Sequence, residues 1–257
     1  MAANPIRAAL KKRPALLMAW TTLGSPLVVE MLGGTGWDLV TVDLQHGVGG
    51  DAEMNACLTA ARAAGLPAMV RVAHNEVGRI TRVLDAGAAG VICPMINTRA
   101  EAEALVAAAK YPPLGGRSYG AYRAAVLTSG DYFAQANNAT ICCAQIETAE
   151  AMGNLDAILS TPGIDMILVG PFDLSISLSG GKTPDTRLPA VLKALDRILE
   201  RCRHHKVIPA VFTGGPDYAA EQIAKGWQMV ALGTDAEWLA DGAARMVSGL
   251  AVALAKG

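Results

Sequence analysis

The chain has 257 residues, of which 52% are hydrophobic and 18% charged, and its formal net charge is −1. This composition supplies a sizeable apolar core and argues against disorder, while the scattered Lys and Arg residues offer no basic surface for nucleic acid. No apolar run approaches the roughly 18 residues of a membrane span, so we predict small-molecule partners, with no nucleic acid and no membrane.

The cysteines and the start of the chain bear on the cellular compartment. The five cysteines contain no C-x-x-C pair, and their odd number argues against a disulfide framework. The basic and apolar start lacks a small-residue cleavage site, so no signal peptide is predicted. A reducing, cytoplasmic location is the simplest interpretation.

Short apolar runs of strand character alternate eight times with segments of helical spacing. The predicted strands are residues 15–21, 39–44, 68–72, 90–95, 140–146, 166–169, 208–212 and 229–232. The predicted helices are residues 25–32, 51–64, 77–85, 99–109, 150–159, 188–204, 216–225 and 236–255. Eight such repeats in a chain of this length predict a single (β/α)8 barrel domain over residues 1–257. No G-x-G-x-x-G follows an early strand, which disfavours an open Rossmann sheet.

Barrel enzymes carry their chemistry at the C-terminal ends of the strands, and the tails of two consecutive strands carry Glu147 and Asp173. Their carboxylates can converge on one point, where they would repel each other unless a cation or a proton intervened. Two protein oxygens leave most of an octahedral shell for water and substrate, which suits Mg²⁺ or Mn²⁺. The alternative is that each acid only caps the following helix.

Two further strand tails carry candidate catalytic groups. His46 is a candidate proton shuttle that Asp43, three residues earlier, can orient, and its alternative is an ordinary loop histidine. Arg71 ends the third strand and can bind an anion or a developing enolate, and its alternative is a buried ion pair with Asp43 or Glu147.

The longest irregular stretch, residues 111–130, is predicted to be a functional loop. It carries Arg117 and Arg123, which can reach an anionic substrate, although solvated loop arginines are common. Asp85 ends a predicted helix, where its charge is unfavourable to the helix dipole, so it needs a local partner.

Six motifs occur in order along the chain, namely VDLQHG at 42–47, VRV at 70–72, LDAG at 84–87, VICPM at 91–95, QIET at 145–148 and GPFDLS at 170–175. In order and spacing they resemble the class II pyruvate aldolases of the HpcH/HpaI family, and the likeness runs over residues 20–234. The resemblance implies a phosphoenolpyruvate-binding type of barrel. It also implies a hexamer, a trimer of dimers that exchange the C-terminal helix. The implied reaction is cleavage of 4-hydroxy-2-oxo acids to pyruvate and an aldehyde.

The resemblance also implies roles for single residues. Those matching Glu147 and Asp173 bind Mg²⁺, Mn²⁺ or Co²⁺, those matching His46 and Asp85 assist proton transfer, and that matching Arg71 contacts the keto oxygen. Gln145 matches a further active-site position. Two departures, Gln45 in place of a frequent Glu and residues 116–120 in place of G-x-R-G-x-G, point to a different aldehyde pocket.

The chemistry follows from charge. A metal held by the two acids would chelate a 2-oxo acid, with Arg71 beside the developing oxyanion. Backbone N–H groups near Phe172 and Asp173 would bind the substrate carboxylate at a helix start. An imine mechanism is disfavoured because no predicted strand carries a lysine.

Three alternatives stay open on the sequence. An acyl-CoA lyase of the citramalyl or malyl type would share the fold and the metal carboxylates, but it requires a basic groove for CoA. A second aldolase would use hydroxypyruvate as its nucleophile. A third possibility is a barrel that binds a keto acid without catalysis.

Overall fold

Eight parallel strands form a closed barrel in the computed structural model, which describes residues 4–255. Each strand pairs with the next along the chain, and the eighth returns to pair with the first. The predicted (β/α)8 barrel is therefore confirmed. The strands are β1 (Leu16–Thr21), β2 (Leu39–Asp43), β3 (Ala68–Arg71), β4 (Gly90–Cys93), β5 (Ile141–Ile146), β6 (Met166–Val169), β7 (Ile208–Thr213) and β8 (Met229–Leu232).

The helices surround the barrel and include the predicted ones, although the predicted helix 150–159 is divided at Asn154. They are α1 (Pro5–Leu10), α2 (Pro26–Leu32), α3 (Asp51–Ala63), α4 (Val77–Asp85), α5 (Arg99–Ala109), α6 (Tyr122–Leu127), α7 (Tyr132–Ala139), α8 (Ala149–Gly153), α9 (Leu155–Leu159), α10 (Pro171–Leu178), α11 (Pro189–His205), α12 (Pro216–Lys225) and α13 (Asp235–Leu254).

Four of these helices were not predicted: α1, α6, α7 and α10. Each is eight residues or shorter, so its apolar periodicity is weak, and α6 lies inside the stretch 111–130. Capping signals were nevertheless present. Asn4 accepts hydrogen bonds from two backbone N–H groups at the start of α1, and Asp131 accepts one, from Ala134, at the start of α7.

The interior of the barrel is apolar towards the N-terminal ends of the strands and polar towards their C-terminal ends. Four fully buried methionines, Met18, Met69, Met166 and Met229, help to fill it, and Ile6 of α1 packs against the same cluster. Burying each such side chain stabilises the fold by about 1.5–3 kcal/mol. Nearer the C-terminal ends the strands carry polar side chains, so the apolar layers form the floor beneath the site.

Helix α13 differs from the other helices because nearly all of it is exposed. Asp235 is its only buried residue. Leu239, Met246 and Leu250 lie 61–77% exposed, at a spacing that puts them on one face. Within residues 4–255, no helix, α13 included, is both long and apolar enough to span a bilayer.

Candidate active site

A pocket of about 220 Å³ opens at the C-terminal ends of the strands. It brings together six of the residues that the sequence singled out, namely Asp43, His46, Arg71, Gln145, Phe172 and Asp173. Glu147 lies directly beside it, since its carboxylate contacts Gln145. The barrel mouth is where this fold places its catalytic groups.

Arg71 and Asp43 form a buried, two-point ion pair in the wall of the pocket. The register of β2 and β3 sets these two residues side by side. Arg71 Nε donates to Asp43 Oδ1 at 2.8 Å, and Nη2 donates to Oδ2 at 2.5 Å. The ion pair that the sequence left open for Arg71 is therefore present, and the guanidinium lines the pocket as well.

Trp20 contacts both members of this pair. Its indole N–H donates to Asp43 Oδ2 at 3.2 Å, and the Arg71 guanidinium carbon lies 4.9 Å from the centre of its ring. Burial alone would raise the pKa of Asp43, but the hydrogen bonds and positive charge of Arg71 outweigh it and lower that pKa. Asp43 therefore stays ionised and keeps Arg71 in one orientation.

His46 is exposed at the mouth of the pocket, three residues past Asp43 in a tight turn. The Asp43 carboxylate accepts from the backbone N–H groups of Gln45 at 3.0 Å and His46 at 3.4 Å. Asp43 thus positions the His46 backbone, whereas the sequence led us to expect a bond to the imidazole. A side chain at Gly47 would lie 2.1 Å from the Asp43 carbonyl oxygen, so the turn requires glycine.

Glu147 is held from two sides below the pocket. The Met95 backbone N–H donates to Oε1 at 2.8 Å, and the Gln145 amide donates to Oε2 at 2.5 Å. Met95 has a φ of 57°, a left-handed conformation that is costly for a residue with a side chain. Burial raises the pKa of Glu147, and the negative charge of Asp173 raises it further despite these hydrogen bonds.

The donors around Glu147 suit a hard divalent cation. Glu147 and Asp173 are close enough for their charges to repel, and a cation would remove that repulsion. Gln145 Oε1 is buried without a hydrogen-bond partner among the described residues, so it is available to a metal-bound water or a substrate. Within residues 4–255 no group of three or more His, Cys, Asp or Glu residues could close a metal shell. Such a two-carboxylate site is typical of Mg²⁺ or Mn²⁺, which keep water and substrate oxygens as ligands.

Trp20, Phe172 and Phe212 form an aromatic wall that the sequence analysis mostly missed. The Trp20 and Phe212 rings meet edge to face with centroids 5.7 Å apart, and Phe172 lies 6.4 Å from Phe212. Only Phe172 was predicted. Trp20 and Phe212 occupy inward positions at strand tails, as Arg71 does, and a search of those tails for large as well as polar residues would have found them.

Three predicted residues lie outside this pocket. Asp85 ends α4, and its Oδ1 forms a 2.6 Å ion pair with Arg117, whose side chain is completely buried. Arg123 donates to the Ala86 carbonyl and, at 2.8 Å, to the Thr59 hydroxyl. Helices of a barrel end at the face opposite the strand tails, so one chain does not bring these residues to its own pocket.

Known proteins resemble this chain over most of its length. Residues 16–241 match the family model described as HpcH/HpaI aldolase/citrate lyase. A hydroxypyruvate/pyruvate aldolase of Rhizorhabdus wittichii is 35% identical over 95% of this chain and 98% of its own. A 5-keto-4-deoxy-D-glucarate aldolase of Shigella dysenteriae is 34% identical over 90% of this chain and 91% of its own length. The crystal structure of an HpcH/HpaI aldolase/citrate lyase family protein from Burkholderia cenocepacia superposes with a TM-score of 0.88 at 29% identity, over 96% of this chain and 99% of that one.

Proposed function

Because this chain belongs to the HpcH/HpaI aldolase/citrate lyase family, we propose that it is a metal-dependent aldolase. It is a carbon–carbon lyase that reversibly cleaves 4-hydroxy-2-oxo acids to pyruvate, or hydroxypyruvate, and an aldehyde. The observation that carries this proposal is the pocket itself. A fixed guanidinium lines it, and a pair of carboxylates able to hold a cation lies in and beside it.

Glu147 and Asp173 are the proposed ligands of Mg²⁺, Mn²⁺ or Co²⁺. When bound, the ion would act as a Lewis acid that polarises the keto group of a 2-oxo acid. Gln145 supports Glu147 through its N–H, and its buried Oε1, which has no partner among the described residues, is proposed to bind water or substrate there. The two N–H groups at Phe172 and Asp173, in the first turn of α10, are proposed to bind the substrate carboxylate.

Arg71 is proposed to bind the keto oxygen and to stabilise the negative charge that grows there. A donor that is already fixed before the reaction costs no reorganisation as the charge develops, and here Asp43 and Trp20 fix it. The aromatic wall excludes water from this charge and so strengthens the electrostatic interaction.

His46 is proposed to move the proton. In cleavage it takes the proton of the C4 hydroxyl, the C3–C4 bond breaks, and its electron pair goes to C3 to give the enolate and the aldehyde. Protonation at C3 then gives the 2-oxo acid. His46 suits this role because it is exposed at the mouth, where the aldehyde leaves, and because Asp43 fixes its backbone.

The position of the lysines argues against an imine route. No lysine lines the described part of the pocket. Lys110 is fully buried, but its ammonium forms a 2.7 Å ion pair with Asp165 and donates to the carbonyl oxygens of Asn137 and Thr140. The metal route therefore remains the better supported of the two.

The pocket also disfavours the acyl-CoA lyase. Arg71 is the only Lys or Arg among its described lining residues, and Asp43 already neutralises it. The described lining of this pocket therefore offers no uncompensated cation to the phosphates of CoA. The relatives named above are aldolases that use hydroxypyruvate or pyruvate, or a keto-deoxy sugar acid, by their names. They support the same substrate class for this chain, including hydroxypyruvate as nucleophile.

We further propose a cytoplasmic homo-oligomer of one-domain subunits, a trimer of dimers that exchange α13. The exposed apolar face of α13 supports this arrangement, because isolated apolar surface of this kind is usually covered in an assembly. In such an oligomer the paired Asp85 and Arg117 are proposed to act at the pocket of a neighbouring subunit.

The test is an assay of the purified protein with Mn²⁺, pyruvate or hydroxypyruvate, and a panel of aldehydes, with products detected by mass spectrometry. We expect aldol products that disappear in EDTA and return when Mn²⁺ or Mg²⁺ is added. Glu147→Gln should abolish them and Glu150→Gln, an exposed acid three residues away, should not. Full activity in EDTA, or an adduct trapped by borohydride, would refute the metal mechanism.

A further inference from the structure

A second and larger cavity, of about 450 Å³, opens at the opposite end of the barrel. The residues Ala68, Ala89 and Thr140 line it, and they lie at or just before the N-terminal ends of β3, β4 and β5. Its volume is within the range of about 300–1,000 Å³ of small-molecule sites. The strands of the barrel separate it from the pocket described above.

The floor of this cavity is apolar and its rim carries positive charge. Leu58, Leu66, Ala88 and Ala124 contribute apolar surface. The charged side chains among its described lining residues are those of Arg62 and Arg123 alone, and no Asp or Glu lines it. A ligand that satisfies both features has an apolar body and a negative charge.

Each of the two arginines extends from its own helix to the other, one from α3 to α6 and one from α6 to α3. Arg62 of α3 donates to the Leu127 carbonyl at the end of α6, at 3.3 Å. Arg123 of α6 donates in return to Thr59 of α3 and to the Ala86 carbonyl after α4. Both side chains therefore lie on the surface that the two helices share, and both line the cavity.

All of these partners are neutral. Within residues 4–255 neither Arg62 nor Arg123 forms an ion pair, whereas Arg117 and Arg71 both do. Two guanidinium groups that line one cavity without a carboxylate leave its rim positively charged, and a bound anion would neutralise that charge. Tyr132 also lines the cavity, and its ring adds to the apolar surface there.

We propose that this cavity is a binding site for an organic anion with an apolar body, such as an aromatic or branched carboxylate. The anionic group lies against Arg62 and Arg123, and the apolar body enters between α3, α6 and the starts of β3 and β4. The bound molecule joins α3 to α6 and so stiffens α6, Tyr122–Leu127. This site is independent of the proposed aldolase reaction, and it does not require the metal.

The test compares two probes of the same shape. Isothermal titration calorimetry measures 1-naphthoate, which is charged, and 1-naphthamide, which is not, with Mn²⁺ and pyruvate present at saturation to occupy the other pocket. We expect 1-naphthoate to bind about tenfold or more tightly than the amide, because the charge-assisted bonds to arginine need the anion. Hydrogen exchange in Tyr122–Leu127 should slow when the acid binds.

Charge variants identify the residues. Arg62→Gln keeps a donor for the Leu127 carbonyl but removes the charge, and it should weaken 1-naphthoate about tenfold without changing the amide. Arg123→Gln should do the same. Arg197→Gln, an exposed position on α11 outside the cavity, is the matched control and should leave binding unchanged. Because the comparison of acid with amide uses the unaltered protein, the test stands even if a variant misfolds.

Three results would overturn the proposal. They are equal affinity for the acid and the amide, loss of 1-naphthoate binding in the presence of Mn²⁺ and pyruvate, and an Arg62→Gln variant that binds the acid as the unaltered protein does. An inactive aldolase would not affect any of these readings, so failure of this site and failure of the proposed function are distinguishable.

Discussion

Replacing Gly170 with alanine tests whether the position of the Glu147 carboxylate matters, and it does so without removing an acid. Gly170 lies between β6 and α10 with a φ of −91°, which alanine also adopts, so the backbone itself is not strained. A Cβ atom there would meet Glu147 Oε2 at 2.5 Å and Gln145 Nε2 at 3.0 Å. Ordinary contact begins at 3.4 Å, so the carboxylate would have to move by about 0.9 Å.

A movement of this size has consequences for both binding and turnover. A misplacement of about 1 Å can cost about 100-fold in rate, and disturbing the groups that orient a metal ligand typically costs 10–100-fold in affinity. We therefore expect Gly170→Ala to weaken Mn²⁺ binding by about 10–100-fold and to lower kcat/KM by about 100-fold. The barrel should stay folded, because the φ of Gly170 suits alanine and the atoms that the Cβ would meet belong to side chains and not to the backbone.

The measurement is Mn²⁺ affinity by calorimetry or electron paramagnetic resonance, together with steady-state kinetics and thermal unfolding. Gly153→Ala is the matched control, because a Cβ atom at Gly153 meets nothing within 4 Å and its φ is not positive. If Gly170→Ala binds Mn²⁺ within about threefold of the unaltered protein and keeps full activity, Glu147 is not a ligand in the position that the structure gives it.

Three other predictions concern side chains near the pocket and in the core. Arg71→Lys should lower kcat/KM by about 100-fold, because an ammonium cannot reproduce the two-point contact with Asp43 that orients the guanidinium; kinetics that change less than threefold would contradict this. Asp43→Asn should destabilise the fold at pH 7 by about 3 kcal/mol, since it breaks a buried ion pair. Because the folded pKa of Asp43 lies below its ordinary value of 3.8, the stabilisation is complete above that value and is lost as the pH falls through the folded pKa. Urea unfolding gives the free energy of unfolding of the unaltered protein and of Asp43→Asn, and the difference between the two should narrow below pH 3.8. A difference that stays constant would refute the assigned ion pair. Burial raises the pKa of Cys57 to about 11 and those of Cys93 and Cys202 to about 12, so the native protein should not react with Ellman's reagent at pH 8, whereas the unfolded chain should release five equivalents.

The barrel itself was predictable because its signal is local and repeated. Each strand is a short apolar run and each long helix has its own periodicity, so the boundaries agree with the structure within two residues at most positions. Positive φ values at Gly65, Gly87 and Gly226 likewise fit the helix ends predicted there. The short helices α1 and α7 were missed because fewer than two or three turns carry too little periodicity to distinguish from a loop.

The candidate site was predictable only in part, for the same reason. Glu147, Asp173 and Arg71 could be chosen because they are charged residues at the tails of apolar strands, a contrast visible within a few residues of sequence. The likeness to a known family added their roles. Nothing local marks Trp20 and Phe212, which come from β1 and β7 and meet across the barrel.

The sequence by itself determined the class of fold, the strands that end at the mouth and the charged groups that those strands carry. Only the tertiary structure decided which of these groups contact one another. The register of β2 and β3 pairs Asp43 with Arg71, and the packing of the segment after α5 pairs Asp85 with Arg117 far from the mouth. These choices depend on closure of the barrel and on contacts between residues distant in the chain, which local propensity and periodicity do not encode.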